Sequence, residues 1–262
     1  MYPSDILDKY SDLLLWGLTS QRRAPLRKSG IVLVSFDVAA LPLAEVLVGK
    51  LHERGMVPVP RQRPTWQMEY DFYSLANPKR LSLEIPGERE FLSRLGGAIH
   101  LLAPEKVTHL ADVDPEQLLI ARKARGELRG IPHRRELAGE YTSVTGLYPS
   151  TGLCDAAGMS LEEYAEEIKR GCLLHRGTPV TDWKLLTPRL AEVAERLNRL
   201  AAPAYRVRSE SMDLLLRTGQ HRRWFVNTGR NVPSFEISLS PDWREGPECL
   251  AGMMSRQPER GC

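Results

Sequence analysis

The sequence predicts an α/β protein: an N-terminal α/β domain with a mostly parallel sheet, followed by the start of an incomplete β-rich domain. Three observations predict this. The apolar run from Ile31 to Asp37 (IVLVSFD), a helical stretch from Leu41 to Arg54 and a second extended piece, MVPVPR, form a β-α-β pattern, and such units pair in parallel with right-handed crossovers. Apolar runs and helical stretches keep alternating as far as Leu200, as a layered α/β architecture requires. After Pro203 the chain changes to short extended pieces divided by Gly and Asn turns.

The elements follow in order. Ile6, Leu7, Tyr10, Leu13, Leu14 and Leu18 recur at helical spacing, so residues 5–18 read as an amphipathic helix. The chain breaks at TSQRRAPLRKSG, and the first strand follows. The helix from Leu41 stops at Gly55, a residue suited to a helix end. Glu88 to Leu95 reads as helix and AIHLLA, from Ala98, as a buried strand. Asp114 before Pro115 forms an N-cap and N1 pair for a helix reaching about Arg125. EYTSVTGLYPS, from Glu140, is strand-like and ends at Pro149.

In SLEEYAEEI the Ser160 side chain can accept from the Glu163 amide while Glu163 reaches back, a capping box that fixes a helix start. A further helix is expected from Pro188 to Leu200, with Leu190, Val193, Ala194, Leu197 and Leu200 on one face. The extended pieces beyond it are YRVRS, SMDLLLRTG, HRRWFVNTG and FEISLS.

With 262 residues, 42% hydrophobic and 26% charged, the chain can bury one large core or two modest ones. Its net charge of +3 comes from bases scattered among acids, which argues against nucleic acid as the main partner. The apolar run Gly30 to Phe36 is too short to span a bilayer, so no membrane partner is expected. Acids among the first residues do not suit a signal peptide, so a cytoplasmic location is expected.

Cys154, Cys172, Cys249 and Cys262 make no CxxC pair. Cys172 and His175 read as a buried helical thiol and its neighbour rather than as metal ligands. His52, His100, His109, His133 and His175 stand singly in sequence and read as structural. His221 lies beside Arg222 and Arg223, whose charge disfavours a metal. Glu162, Glu163, Glu166 and Glu167 face Lys169 and Arg170 at helical spacing, as on a solvated surface. There is no phosphate loop, no H-E-x-x-H and no G-x-S-x-G.

Several stretches taken in order carry more. LYPS, AGMSLEEYAEEI and PVTDWKLL, then SMDLLLRTGQHRRWFVNTGRNVPSFEISLSPDW, resemble the thermophilic aminopeptidase family of metallopeptidases, of the aminopeptidase T and aminopeptidase S type. The family's T-D-L, G-x-x-W and N-x-P-x-x-E-x-x-x-x-P patterns fall on Ser211 to Leu214, on Gly219 to Trp224 with two extra residues, and on Asn231, Pro233, Glu236 and Pro241.

The resemblance implies a cytoplasmic, usually homodimeric exopeptidase that takes peptide substrates. It implies two divalent metal ions of the zinc or cobalt class, with Glu236 as the first metal ligand. A bridging carboxylate of this kind fixes the spacing of two metals that together activate a water. The family's other ligands, a second glutamate, two histidines and an aspartate, and its catalytic tyrosine lie downstream of that motif. After Trp243 this chain has REGPECLAGMMSRQPERGC, with no histidine, tyrosine or aspartate. No catalytic residue is therefore assigned, and the chain is expected to be a C-terminally truncated member, inactive as given. The expected divisions are the α/β domain at 1–203, the start of the metal domain at 204–245 and an aberrant or disordered tail at 246–262. The alternative is a non-catalytic α/β binding or dimerisation module in which Glu236 only faces solvent.

Overall fold

The structure, a computed structural model, describes residues 2–20, 25–217, 222–227, 231–232 and 236–239. The chain begins with helix α1 (Ser4–Ser20), whose buried stripe holds all six of the apolar residues named from the sequence, with Ser11, Leu15 and Gly17 added. Strand β1 (Ile31–Phe36) alternates half-buried and buried residues, with Val32, Val34 and Phe36 on the buried side. A single 3-10 turn, Val38–Ala40, leads into α2 (Leu41–Glu53), which buries Leu43, Ala44, Leu47 and Leu51. Strand β2 (Val57–Gln62) closes the first β-α-β unit in parallel with β1.

Helices α3 (Trp66–Leu75), α4 (Pro78–Leu81) and α5 (Glu88–Arg94) come next, then strand β3 (Leu95–Leu102). Helices α6 (Pro115–Ala124) and α7 (Gly126–Leu137) lead to β4 (Thr142–Leu147). A two-residue strand, β8 (Asn231–Val232), adds to β4, and the sheet order is β2-β1-β3-β4-β8 with every pair parallel. Pro58 and Pro60 fall in β2, at the edge of this sheet, where a residue without an N–H costs least. In the interior strand β3, Ala98, Ile99 and Leu101 are fully buried.

Glycines let α1 approach the sheet. A Cβ on Gly97 would sit 3.1 Å from Leu18, and one on Gly146 would sit 2.9 Å from Leu14 and 3.1 Å from the Tyr10 hydroxyl. That hydroxyl donates to the Leu147 carbonyl at 2.7 Å, and Thr142 Oγ1 donates to the Leu18 carbonyl at 2.8 Å. The helix is thus tied to β4 at both ends of the strand.

Helix α8 (Thr151–Ala157) ends on Gly158 in the left-handed conformation, and α9 (Leu161–Gly171) starts at Ser160 with both halves of the capping box made. Helix α10 runs from Pro179 to Leu200, nine residues longer at its start than the expected Pro188 to Leu200. Pro188 lies inside it rather than at its beginning, which removes one helical N–H donor. The buried side of α10 carries Trp183 and Ala194, while Val193 and Leu200, expected on the apolar face, are exposed. Helices α3, α4, α7 and α8 have no counterpart in the sequence reading. Helix α7 shows why: it carries Gly126, Gly130 and an internal Pro132 and buries only Ile131, so no apolar period marks it.

The chain divides into two compact units, residues 1–182 with 228–234, and residues 183–227 with 235–262. In the second, β5 (Ala204–Ser209) and β6 (Met212–Arg217) form an antiparallel hairpin, and β7 (Trp224–Asn227) pairs antiparallel with β9 (Glu236–Leu239). These strands match the four extended pieces expected after Pro203. Val207, Met212, Leu214, Leu215, Leu216 and Phe225 are exposed on them.

Candidate functional site

Glu236 opens β9, and its backbone stands opposite Asn227 of β7. Its side chain lies outside what the structure describes, as do Gly219, Pro233 and Pro241 of the patterns around it. Asn231 of the same motif is in β8, opposite Thr145 of β4. The motif therefore runs from a strand of the first unit to a strand of the second.

Two other motif residues of the second unit, Asp213 and Trp224, make cross-strand contacts. Asp213 accepts from Arg206 through both carboxylate oxygens, at 2.7 and 2.6 Å, and pairs with Arg208 at 3.3 Å. The hydrogen bond from Arg206, chiefly, holds the Asp213 carboxyl below its usual range. The Trp224 indole N–H donates to the Tyr205 hydroxyl at 3.2 Å, and the two rings meet edge to face with centroids 5.5 Å apart. Such a carboxylate, already held by two guanidinium groups, is spent as a cross-strand clamp.

Among the described residues, no group of three or more His, Cys, Asp and Glu side chains is placed to hold a metal ion. They do not assemble the donor set that a two-metal centre needs. Cys172 is fully buried, and burial pushes its thiol up to about 12. This burial agrees with the sequence reading of Cys172 as a buried thiol.

One histidine departs from its reading as a solitary residue. His109 Nε2 stands 3.0 Å from Glu69 Oε2, and its Nδ1 stands 3.1 Å from the Lys106 carbonyl oxygen. Forty residues separate His109 from Glu69, so local spacing could not show the pair. They line a crevice of about 220 Å³ in the first unit, with Asp37, Arg63, Thr65, Trp66 and Lys106.

The crevice is built by the sheet. Asp37, Arg63 and Ala103 are the residues immediately after β1, β2 and β3, three adjacent parallel strands. Asp37 Oδ2 accepts from the Ala103 amide at 2.7 Å, while Oδ1 pairs with Arg63 Nε at 3.1 Å. Close by, burial and then the charge of Arg63 hold His100 below the usual histidine range. Lys106 Nζ lies 3.6 Å from the centre of the Trp66 ring, within cation–π distance. The sequence signal for this group was available only as the first residue past each strand.

Comparison with known proteins places the chain. The profile of the family described as thermophilic metalloprotease (M29) matches residues 4–246. Among solved structures, wild-type AmpT from Thermus thermophilus superposes with a TM-score of 0.59 at 16% sequence identity, covering 86% of this chain and 59% of that one. This chain thus spans less than two thirds of the length of AmpT, and the likeness at that identity is one of fold. No curated protein matches. With the family profile covering nearly the whole length, from α1 through the motif that holds Glu236, the chain belongs to the thermophilic metalloprotease (M29) family.

Proposed function

We propose that this chain is part of a metal-dependent aminopeptidase, which removes N-terminal residues from peptides with two divalent ions of the zinc or cobalt class. The family match across residues 4–246 carries this reading. AmpT, which shares the fold, supports it by its name. Within the chain, Glu236 is the proposed metal ligand, and its oxygens suit hard or borderline cations. The remaining donors of the family's set are proposed to lie outside these 262 residues. A homodimer in the cytoplasm is part of the same proposal. Among the described residues no helix is long and apolar enough to cross a membrane.

The test is metal analysis of the purified chain together with hydrolysis of an amino-acid anilide. These residues alone should bind less than stoichiometric zinc or cobalt and show no turnover. The coding DNA past the codon for Cys262, read in all three frames, should contain a glutamate, two histidines, an aspartate and a tyrosine. A chain extended by that segment should turn over and lose at least about 100-fold on Glu236→Gln, beyond the usual cost of outer-shell changes. An extended chain indifferent to Glu236→Gln would remove Glu236 from the site. The second reading is a non-catalytic binding or dimerisation module in which Glu236 only faces solvent; turnover by the extended chain would exclude it.

A further inference from the structure

We infer that the crevice past the ends of β1, β2 and β3 is a binding site for a small ligand bearing an oxyanion, a carboxylate or a phosphate. The strand order places it. From β1 the chain moves outward to β2, then returns across β1 to β3 and goes on to β4, so the direction of winding reverses between β1 and β3. In open parallel sheets the crevice beyond the carboxyl ends of the strands at such a reversal is where ligands bind. Asp37 and Ala103, which meet at 2.7 Å, mark that point.

Charge decides the class of ligand. Of the three acids lining the crevice, Asp37 is already engaged by the Ala103 amide and Arg63 Nε, and Glu69 by His109, while Glu105 is exposed and makes no ion pair among the described residues. The cations are less completely used. Arg63 meets Asp37 through Nε, and among the described residues no other carboxylate lies within ion-pairing distance of it. Lys106 makes no ion pair among the described residues; its ammonium rests on the Trp66 ring. A guanidinium edge, an ammonium without an ion pair and the opening turn of the ten-residue helix α3, capped by Thr65, therefore line one cavity. Two underused cations and a positive helix end favour an anion, and about 220 Å³ suits a small one. Glu105 lines the same crevice, and its charge opposes ligands of high negative charge. This inference does not depend on the metal-dependent reading, since it uses only residues of the first unit.

Isothermal titration of the whole chain with sodium phosphate and, separately, sodium acetate, against sodium chloride at equal ionic strength, tests it. At least one oxyanion should bind saturably, and the accompanying change in tryptophan emission should vanish in Trp66→Phe. Lys106→Gln, which breaks no ion pair, should weaken binding about tenfold, and Arg63→Gln combined with it should weaken binding further. Saturation by phosphate alone assigns a phosphorylated ligand, and saturation by acetate a carboxylate. No saturable heat above chloride from either anion, or unchanged affinity in Lys106→Gln, would overturn the assignment.

Discussion

Asn198 holds Trp224 by both of its main-chain groups: the side-chain oxygen accepts from the Trp224 amide at 2.7 Å, and the side-chain nitrogen donates to the Trp224 carbonyl at 2.8 Å. One amide side chain on α10 thus completes the outer hydrogen bonds at the start of β7. Asn198→Ala breaks both. Each such bond contributes roughly 1 kcal/mol net, and water reaches this site, so the variant should lose about 1 to 2 kcal/mol. Its urea midpoint, followed by the emission of Trp224, reports the loss; an unchanged midpoint would show that solvent replaces both bonds without cost.

Gly146 is a steric prediction. Its missing Cβ leaves room for Leu14 and for the Tyr10 hydroxyl, which would otherwise be 2.9 and 3.1 Å away. Gly146→Ala must push α1 off β4 or stretch the bond from Tyr10 to Leu147, and overpacking of this kind costs about 1 to 3 kcal/mol. Tyr10→Phe leaves the Leu147 carbonyl without that donor and should cost a similar amount. Thermal melts of both, and of the double variant, check this. Because the two sites touch, the double variant should lose less than the sum.

Helix α9 tests the cap. Ser160→Ala removes the acceptor of the Glu163 amide at 3.2 Å and should cost about 1 kcal/mol. The Glu163 carboxyl is held below its ordinary 4.5, first by the backbone hydrogen bond from Ser160. A depressed carboxyl stabilises the fold above its unfolded value and loses that contribution as pH falls through the lower folded value. Helicity lost on acidification below about pH 4.5 should therefore be smaller in Glu163→Gln, as circular dichroism would show.

At the alkaline end the sign reverses. Burial raises Cys172 from 9.0 to about 12 and Tyr141 from 10.0 to about 12, and it raises fully buried Tyr10 well above 10.0. The neutral forms are the folded ones, so their contribution is intact below about pH 9 and is lost progressively as pH rises toward 12. Stability measured by denaturant titration should fall across that window, and Cys172→Ala should make the fall shallower.

The β5–β6 hairpin should be cut first by protease. Its two strands pair with each other, and every residue from Arg206 to Arg217 is exposed, whereas β1 and β3 are covered. Local opening is least costly where few apolar groups are buried. Trypsin should therefore cleave in residues 204–217 before it attacks the parallel sheet. Equal resistance through both units would contradict this.

How much of this was readable beforehand depends on what each residue signals locally. Ser160 and Glu163 announce a helix start within four residues, and the structure makes both bonds. The apolar runs of β1 and β3 show in the same way, because a buried strand needs only its own residues to look buried. Pro188 misled for a physical reason: proline is commonest at a helix start, but α10 carries it inside. Helix α7, with two glycines, a proline and one buried residue, depends on its neighbours for its shape. The crevice was hidden for another reason. Asp37, Arg63 and Ala103 are far apart in the chain and become neighbours only through parallel pairing, and Glu236 is proposed as a ligand by likeness to a family pattern rather than by its own chemistry.

The short strand β8 has a consequence in time. The first four strands of the parallel sheet are complete once Leu147 has been made, yet the outer edge of β4 receives its partner only when Asn231 and Val232 arrive. At ribosomal speeds of roughly 5 to 20 residues per second, that delay of ~85 residues amounts to about 4 to 17 s. During this interval the nascent chain carries an open, adhesive flank beside Thr145 and Gly146, and chaperones that cover such edges would find their target in that window.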